Sequence, residues 1–218
     1  FVIPNIAAFL LIDGFSEVLF SLPNEVLWGM IVSSFLWGIG VMMWGKAINH
    51  IGLSLGFSIF IGTVILVGSL LPFIESGLPA QTILVTILAG LLVVLLGIMA
   101  NGKAGILREQ DEANDTDGKK GMLTGITIAV VGGLLATGFS YANAVGAKVI
   151  SEAVVAQGNA QWLSSVAIMY IIYMAGGVAI ALYFSQQLTA KKLWVKFKTP
   201  HFSKNLGLCT VMGILNFF

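Results

Sequence analysis

Seven apolar runs decide what this chain can become. They fall at about 1 to 12, 25 to 45, 51 to 74, 81 to 100, 121 to 142, 162 to 185 and 205 to 218. Hydrocarbon about 30 Å thick is crossed by about 20 residues of helix, and a lipid-facing backbone that is not helical leaves its peptide groups unpaired. The runs therefore read as membrane helices. Five have spanning length. The first has only about twelve residues, and the last stops at Asn216, Phe217 and Phe218 without a polar cap. With Phe1 in place of a methionine and no basic leader before it, both ends read as cut. Composition agrees: 57% of residues are hydrophobic and 10% charged, against about 25% charged in a soluble domain. The expected fold class is an all-α polytopic membrane protein, seen as a fragment of about seven membrane segments.

Charge orients these segments. The polar stretches alternate sides, and ten of the eleven basic residues fall on one side: Lys46, then Lys103, Arg108, Lys119 and Lys120, then Lys191, Lys192, Lys196, Lys198 and Lys204. Only Lys148 falls on the other, while the ten acidic residues divide evenly. A basic excess marks the cytoplasmic side, so the loops at 46 to 50, 101 to 120 and 186 to 204 are expected there, and the first run travels outward. The polar, mixed-charge stretch 101 to 120 divides first-half membrane helices (1 to 100) from second-half helices (121 to 218), as in transporters built from repeats. The stretch from Lys191 to Lys204 interleaves Leu193, Trp194, Val195, Phe197 and Phe202 with lysines, which suits a helix lying in the headgroup region.

The residues also exclude classes of function. A net charge of +1 offers no single-signed surface for nucleic acid. The single cysteine, Cys209, lies in an apolar run and reads as a small buried hydrophobe. No metal-ligand set, nucleotide loop or nucleophile motif is present, so neither an enzyme nor a bound metal or cofactor is expected. The runs carry glycine, hydroxyl, amide and aromatic side chains instead. That inventory suits hydrogen bonding to, and stacking on, a small neutral polyhydroxylated ligand.

Gly52, Gly56 and Gly62 follow one another in the third run, with Gly52 and Gly56 as a GxxxG pair. Such a stripe lets helices approach closely or slide, and Gly133, among Gly125, Gly132 and Gly138, makes a similar stretch in the fifth run. Trp37 and Trp44 lie two turns apart in the second run; Trp44, beside Lys46, suits the interface, and Trp37 suits either core packing or a ligand platform. Near mid-membrane the expected sugar contacts are Trp37, Ser58, Asn143 and Tyr170, the last on a track with Tyr173, Ser164 and Ser165. Lys148 and Glu152, at i and i+4, would pair on a helix. Together with His50 they are the candidates for carrying a proton, histidine being the side chain that titrates closest to neutrality. No carboxylate lies at the middle of a run, where a charge would be functional by default.

The order Trp37-Gly38-Ile39-Gly40, Trp44-Gly45, Ile51-Gly52-Leu53-Ser54-Leu55-Gly56, Ile61-Gly62 and Val67-Gly68-Ser69-Leu70 resembles the L-rhamnose-proton symporter family of the drug/metabolite transporter superfamily. The likeness continues through Gly102-Lys103-Ala104-Gly105, Leu107, Glu109 and Lys119-Lys120-Gly121 to Gly138-Phe139-Ser140-Tyr141-Ala142. Lys148 and Glu152 stand where that family shows a lysine and a glutamate at the same separation. The chain departs from the pattern at Asn49-His50, where a basic-aromatic pair is expected, and near Val145-Gly146, where a residue is inserted. The resemblance implies a five-plus-five helical bundle in a bacterial inner membrane, with the first helix, most of the eighth and the last two lying outside this chain. It implies import of a small neutral sugar, L-rhamnose or a related 6-deoxyhexose, with a proton. Membrane lipid is the surrounding partner. A related carrier exporting metabolites or amphipathic compounds shares the same glycine and aromatic pattern, and a membrane scaffold without transport is the third reading.

Overall fold

The computed structural model describes residues 2–112 and 117–217, and every regular element among them is helical. The elements are α1 (Val2–Leu11), α2 (Phe15–Ser21), α3 (Asn24–Ser76), α4 (Gln81–Glu112), α5 (Asp117–Ala136), α6 (Gly138–Ala156), α7 (Leu163–Ala190), a short 3₁₀ turn (Leu193–Phe197) and α8 (Phe202–Phe217). Among the described residues four helical stretches are long and apolar enough to cross a membrane, and the pair α1–α2, bent by 99°, makes a fifth if taken as one span.

The 53-residue helix α3 is two antiparallel arms. Gly52 interrupts it at φ 71°, ψ 169°, a backbone region open in practice to glycine alone. Across this reversal the indole of Trp44 stacks on Phe60 at 5.6 Å between ring centres and meets Phe57 at the same separation. In a continuous helix residues 44 and 60 would stand about 24 Å apart. The second and third expected runs are therefore separate spans, 24–51 and 53–76. The GxxxG reading of Gly52 is corrected accordingly. Gly52 makes the turn, and Gly56 faces Ile48 of the opposite arm, where a Cβ would lie 3.4–3.5 Å from Ile48 atoms. Trp44, expected as an interfacial anchor, lies inside the hairpin with its Nε1 buried and unpartnered.

The fifth run extends further than its apolar stretch. Tyr141 N–H donates to the carbonyl of Thr137 and Thr137 N–H to that of Gly133, so the ladder crosses from α5 into α6 and residues Gly121–Ala156 form one 36-residue stretch. At 1.5 Å per residue this is about 54 Å long. That is longer than the hydrocarbon thickness of about 30 Å that a span has to cross. Close backbone contact holds α5–α6 antiparallel to the first arm: a Cβ on Gly40 would meet the backbone of Gly132 and Ala136, and one on Gly138 would meet the carbonyl of Ser33. Gly133, expected as a packing glycine, faces Thr63 and Phe60 of the second arm, while Gly62 faces Ile98 of α4.

Two hydrophobic clusters lie at different heights. The outer one joins α1, α2, the first arm, α6 and α7 through residues such as Phe15, Val18, Met30, Ile150 and Ile172. The inner one, beside the reversal, joins Ala47, Ile51, Leu55 and Ala129. A reciprocal pair of hydrogen bonds closes the outer end: Asp13 N–H donates to Asn159 Oδ1 and Asn159 Nδ2 donates to the Asp13 carbonyl, both at 2.8 Å. That pair fastens the α1–α2 bend, where Gly14 has φ 64°, to the α6–α7 connection. α4 packs on the second arm, through Gly62 with Ile98 and through the Ser54 hydroxyl, which donates to Asn101 Oδ1 at 3.2 Å.

The stretch 101 to 120, expected as a polar loop, is helical at both ends, because α4 continues to Glu112 and α5 starts at Asp117; residues 113–116 lie outside the described residues. In the basic stretch after α7, Lys192 takes φ 52° and ends the helix. Only the 3₁₀ turn follows in place of an interfacial helix. Residues 46–50, 101–112 and 186–204 all lie at the Gly52 end of the bundle, since Gly105 packs on Leu55, Gly125 on Ile51 and His50, and α7 runs away from the Asn159 end.

Candidate ligand site at the waist of the bundle

Trp37 stands midway along the first arm, about 22 Å from the Gly52 reversal at 1.5 Å per residue. Its ring meets Phe139 of α6 at 5.6 Å and Tyr173 of α7 edge-on, also at 5.6 Å. The indole lies against the bare Cα of Gly176, where a side chain would overlap it. Opposite, a Cβ on Gly38 would meet the Gly176 carbonyl and come within 3.0 Å of the Ala179 Cβ. Sequence and packing are thus linked: the Trp37-Gly38 step needs Gly176 on the facing helix.

One turn outward lies a layer of polar side chains. Ser34 precedes Trp37 by three residues and is fully buried, and its hydroxyl has no hydrogen-bond partner. Asn143, half-buried, follows Phe139 by four residues and so continues its stripe on α6. Tyr170, also half-buried, precedes Tyr173 by three on α7, its ring edge-on to Phe15 at 4.9 Å and to Phe9 at 6.1 Å. A buried hydroxyl without a partner costs about 1–3 kcal/mol, and Ser34 carries that cost at the height of two further polar groups. Three of the four expected sugar contacts, Trp37, Asn143 and Tyr170, therefore lie within about one helical turn of a common level.

Ser58 does not join them. It is buried on the second arm, donates to the Ser54 carbonyl at 2.8 Å, and stands about 9 Å from the reversal, some 13 Å nearer the inner end than Trp37. The proton candidates lie at opposite ends. Lys148 and Glu152 are exposed on the outer part of α6, and His50 is exposed beside the reversal.

On the other side of the first arm a groove of about 540 Å³ opens between that arm, Leu71 and the α5–α6 junction, within the range of small-molecule sites. Its polar lining is Ser33, Thr137 and Tyr141, with Trp28 at the outer end. The Ser33 and Thr137 hydroxyls donate to the carbonyls of Gly29 and Leu134, both at 2.6 Å, so their protons are engaged within their own helices.

Ser34, Phe139 and Gly176 were not singled out as site residues by sequence reasoning, and Tyr173 entered only as part of the polar track of Tyr170. The adjacent hydroxyls Ser33-Ser34 inside an apolar run were the available signal for the first. The partners of Trp37 come from two other helices and had no local signature.

A family model described as the L-rhamnose-proton symport protein matches residues 1–216. The chain belongs to the L-rhamnose-proton symporter family. Relatives of it include the L-rhamnose-proton symporters of Yersinia pestis bv. Antiqua (strain Antiqua) and of Yersinia pseudotuberculosis serotype O:3 (strain YPIII), each 29% identical over 208 residues. Each match takes in 89% of this chain and 58% of the relative, so the chain spans well under two thirds of the length of these family members. No solved structure matches it.

Proposed function

We propose that the protein imports a small neutral sugar, L-rhamnose or a related 6-deoxyhexose, by proton symport across a bacterial inner membrane. The family match over residues 1–216 carries this reading, and the chemistry at the waist agrees with it. An indole offers a face for the C–H side of a pyranose, while hydroxyl, amide and phenol groups one turn away exchange hydrogen bonds with its hydroxyls. On this reading the architecture is the five-plus-five bundle of the drug/metabolite transporter superfamily, and the basic end, with residues 46–50, 101–120 and 186–204, is cytoplasmic.

The sugar site is assigned to Trp37, Asn143 and Tyr170, with the unpartnered Ser34 hydroxyl as an added donor. Ser58 is assigned to the inward route. Glu152, His50 and Lys148 are the proton-handling candidates, those of the outer end meeting the proton on entry and His50 on release. Loss of one partner of a buried sugar hydroxyl weakens binding by about ten to a hundredfold. Trp37→Ala, Asn143→Ala and Tyr170→Phe should each weaken binding of L-rhamnose by about that factor, measured calorimetrically on the purified protein with thermal stability as the folding control. Unchanged affinity in all three variants removes the site from the waist.

A further inference from the structure

At the basic end a second groove, of about 340 Å³, runs between the first arm and α7. Its lining changes character along the membrane normal. Val41, Met42 and Ile180 line the part toward the middle of the bundle, and Lys46, Asn49 and Tyr183 the part toward the end. The first arm, 24–51, is about 42 Å long; centred on about 30 Å of hydrocarbon, it projects by about 6 Å at each end. Lys46 lies about 8 Å from Ile51 and therefore at the boundary between hydrocarbon and headgroups. By the same measure on α7, Tyr183 lies about 4 to 5 Å inside that boundary and Ile180 about 9 Å inside it.

The Lys46 ammonium sits over the Tyr183 ring, 5.1 Å from its centre. Among the described residues it has no carboxylate partner. A cation held in place by an aromatic face, on a long stem that starts at the hydrocarbon boundary and reaches toward the headgroups, has its charge available for an anion. Lys46 and Asn49, one helical turn apart, both point exposed polar groups at the water end of the groove. The exposed ring of Phe184 extends the apolar wall.

We propose that this groove is a binding site for one anionic phospholipid, its phosphate on Lys46 and Asn49 and the start of an acyl chain along Val41, Met42 and Ile180. The groove matches such a molecule in three respects at once: it is cationic at the hydrocarbon boundary within reach of the headgroups, apolar below it, and edged by the exposed ring of Phe184. A free anion uses only the first of these, and a neutral sugar uses neither the charge nor the apolar floor. The assignment is independent of the transported substrate.

Native mass spectrometry of the purified chain in detergent tests it, with phosphatidylglycerol, phosphatidylcholine of the same acyl chains and inorganic phosphate titrated separately. Phosphatidylglycerol should bind with a preference over phosphatidylcholine, and inorganic phosphate should not compete. Removing one lysine charge at the membrane surface corresponds to about fivefold in affinity, so Lys46→Gln should lower phosphatidylglycerol binding by about that factor. Lys46→Arg should retain it. Lys103→Gln, which removes an exposed charge from the same end on α4, should leave it unchanged, separating a local site from general attraction. Equal losses in Lys46→Gln and Lys103→Gln, equal binding of the two lipids, or displacement of lipid by inorganic phosphate or by L-rhamnose would each overturn the proposal.

Discussion

Gly176 has no side chain because the Trp37 ring takes its place. That exchange was only half legible in the sequence. Trp37 stood out as an indole deep in an apolar run, whereas Gly176 was one of 26 glycines and nothing local marked it as the surface on which the indole rests. Because the indole is rigid and is also held by Phe139 and Tyr173, it cannot move aside cheaply. Gly176→Val should destabilise the protein by about 1–3 kcal/mol, the usual cost of overpacking, read as a lower melting temperature in detergent. An unchanged melting temperature would show that the waist has slack. Asn159 illustrates a residue without any sequence signal, since its partners are the backbone groups of Asp13, 146 positions away. Asn159→Ala removes both hydrogen bonds at an exposed site and should cost about 1 kcal/mol. Faster amide exchange at the α1–α2 bend is the specific signature, and unaltered exchange there would contradict the clamp.

At the scale of elements, hydropathy located the runs because lipid accepts only hydrogen-bonded backbone, and it separated the two arms of α3 because Lys46, Asn49 and His50 lie between them, although the backbone there is helical up to Gly52. What it could not show was how the arms are joined. Gly52 was read as half of a packing pair, but the positive φ that makes it a turn is a property of the folded backbone and is invisible in a pattern of small residues. Placing a Cβ at φ 71°, ψ 169° costs about 1–3 kcal/mol, so Gly52→Ala should lower stability by that amount, whereas Gly45→Ala, at a position with open space around it, should be neutral. Equal effects of the two substitutions would contradict a tight reversal at Gly52. Hydropathy likewise ended the fifth run near residue 142, where the helix goes on to Ala156; a helix that leaves the hydrocarbon becomes polar without ceasing to be a helix. The first run, about 1 to 12, covers α1 alone, and the 99° turn into α2 was not legible because Gly14 and the Asn159 contact, not composition, mark that bend.

At the scale of the whole molecule, the packing gathers residues 46–50, 101–112 and 186–204 at one end, and on the proposed reading their basic excess places that end in the cytoplasm. In a Cys209→Ser background, which removes the exposed native thiol, a membrane-impermeant reagent applied to intact cells should label Gln157→Cys and leave Lys103→Cys unlabelled; the reverse pattern would invert the orientation. The family was legible from glycine and tryptophan spacing over most of the chain. The geometry of the proposed sugar site was legible only in part. Trp37, Asn143 and Tyr170 come to one region, but Ser58 is carried away by the hairpin, whose height relation to the first arm no linear spacing reveals. Symport itself is tested most directly by adding L-rhamnose to lightly buffered, anaerobic cells that express the protein and recording external pH alongside uptake of labelled sugar. Proton symport predicts alkalinisation of the medium in step with uptake, both abolished by a protonophore. Accumulation that persists with the protonophore, or that proceeds without any pH change, would contradict it.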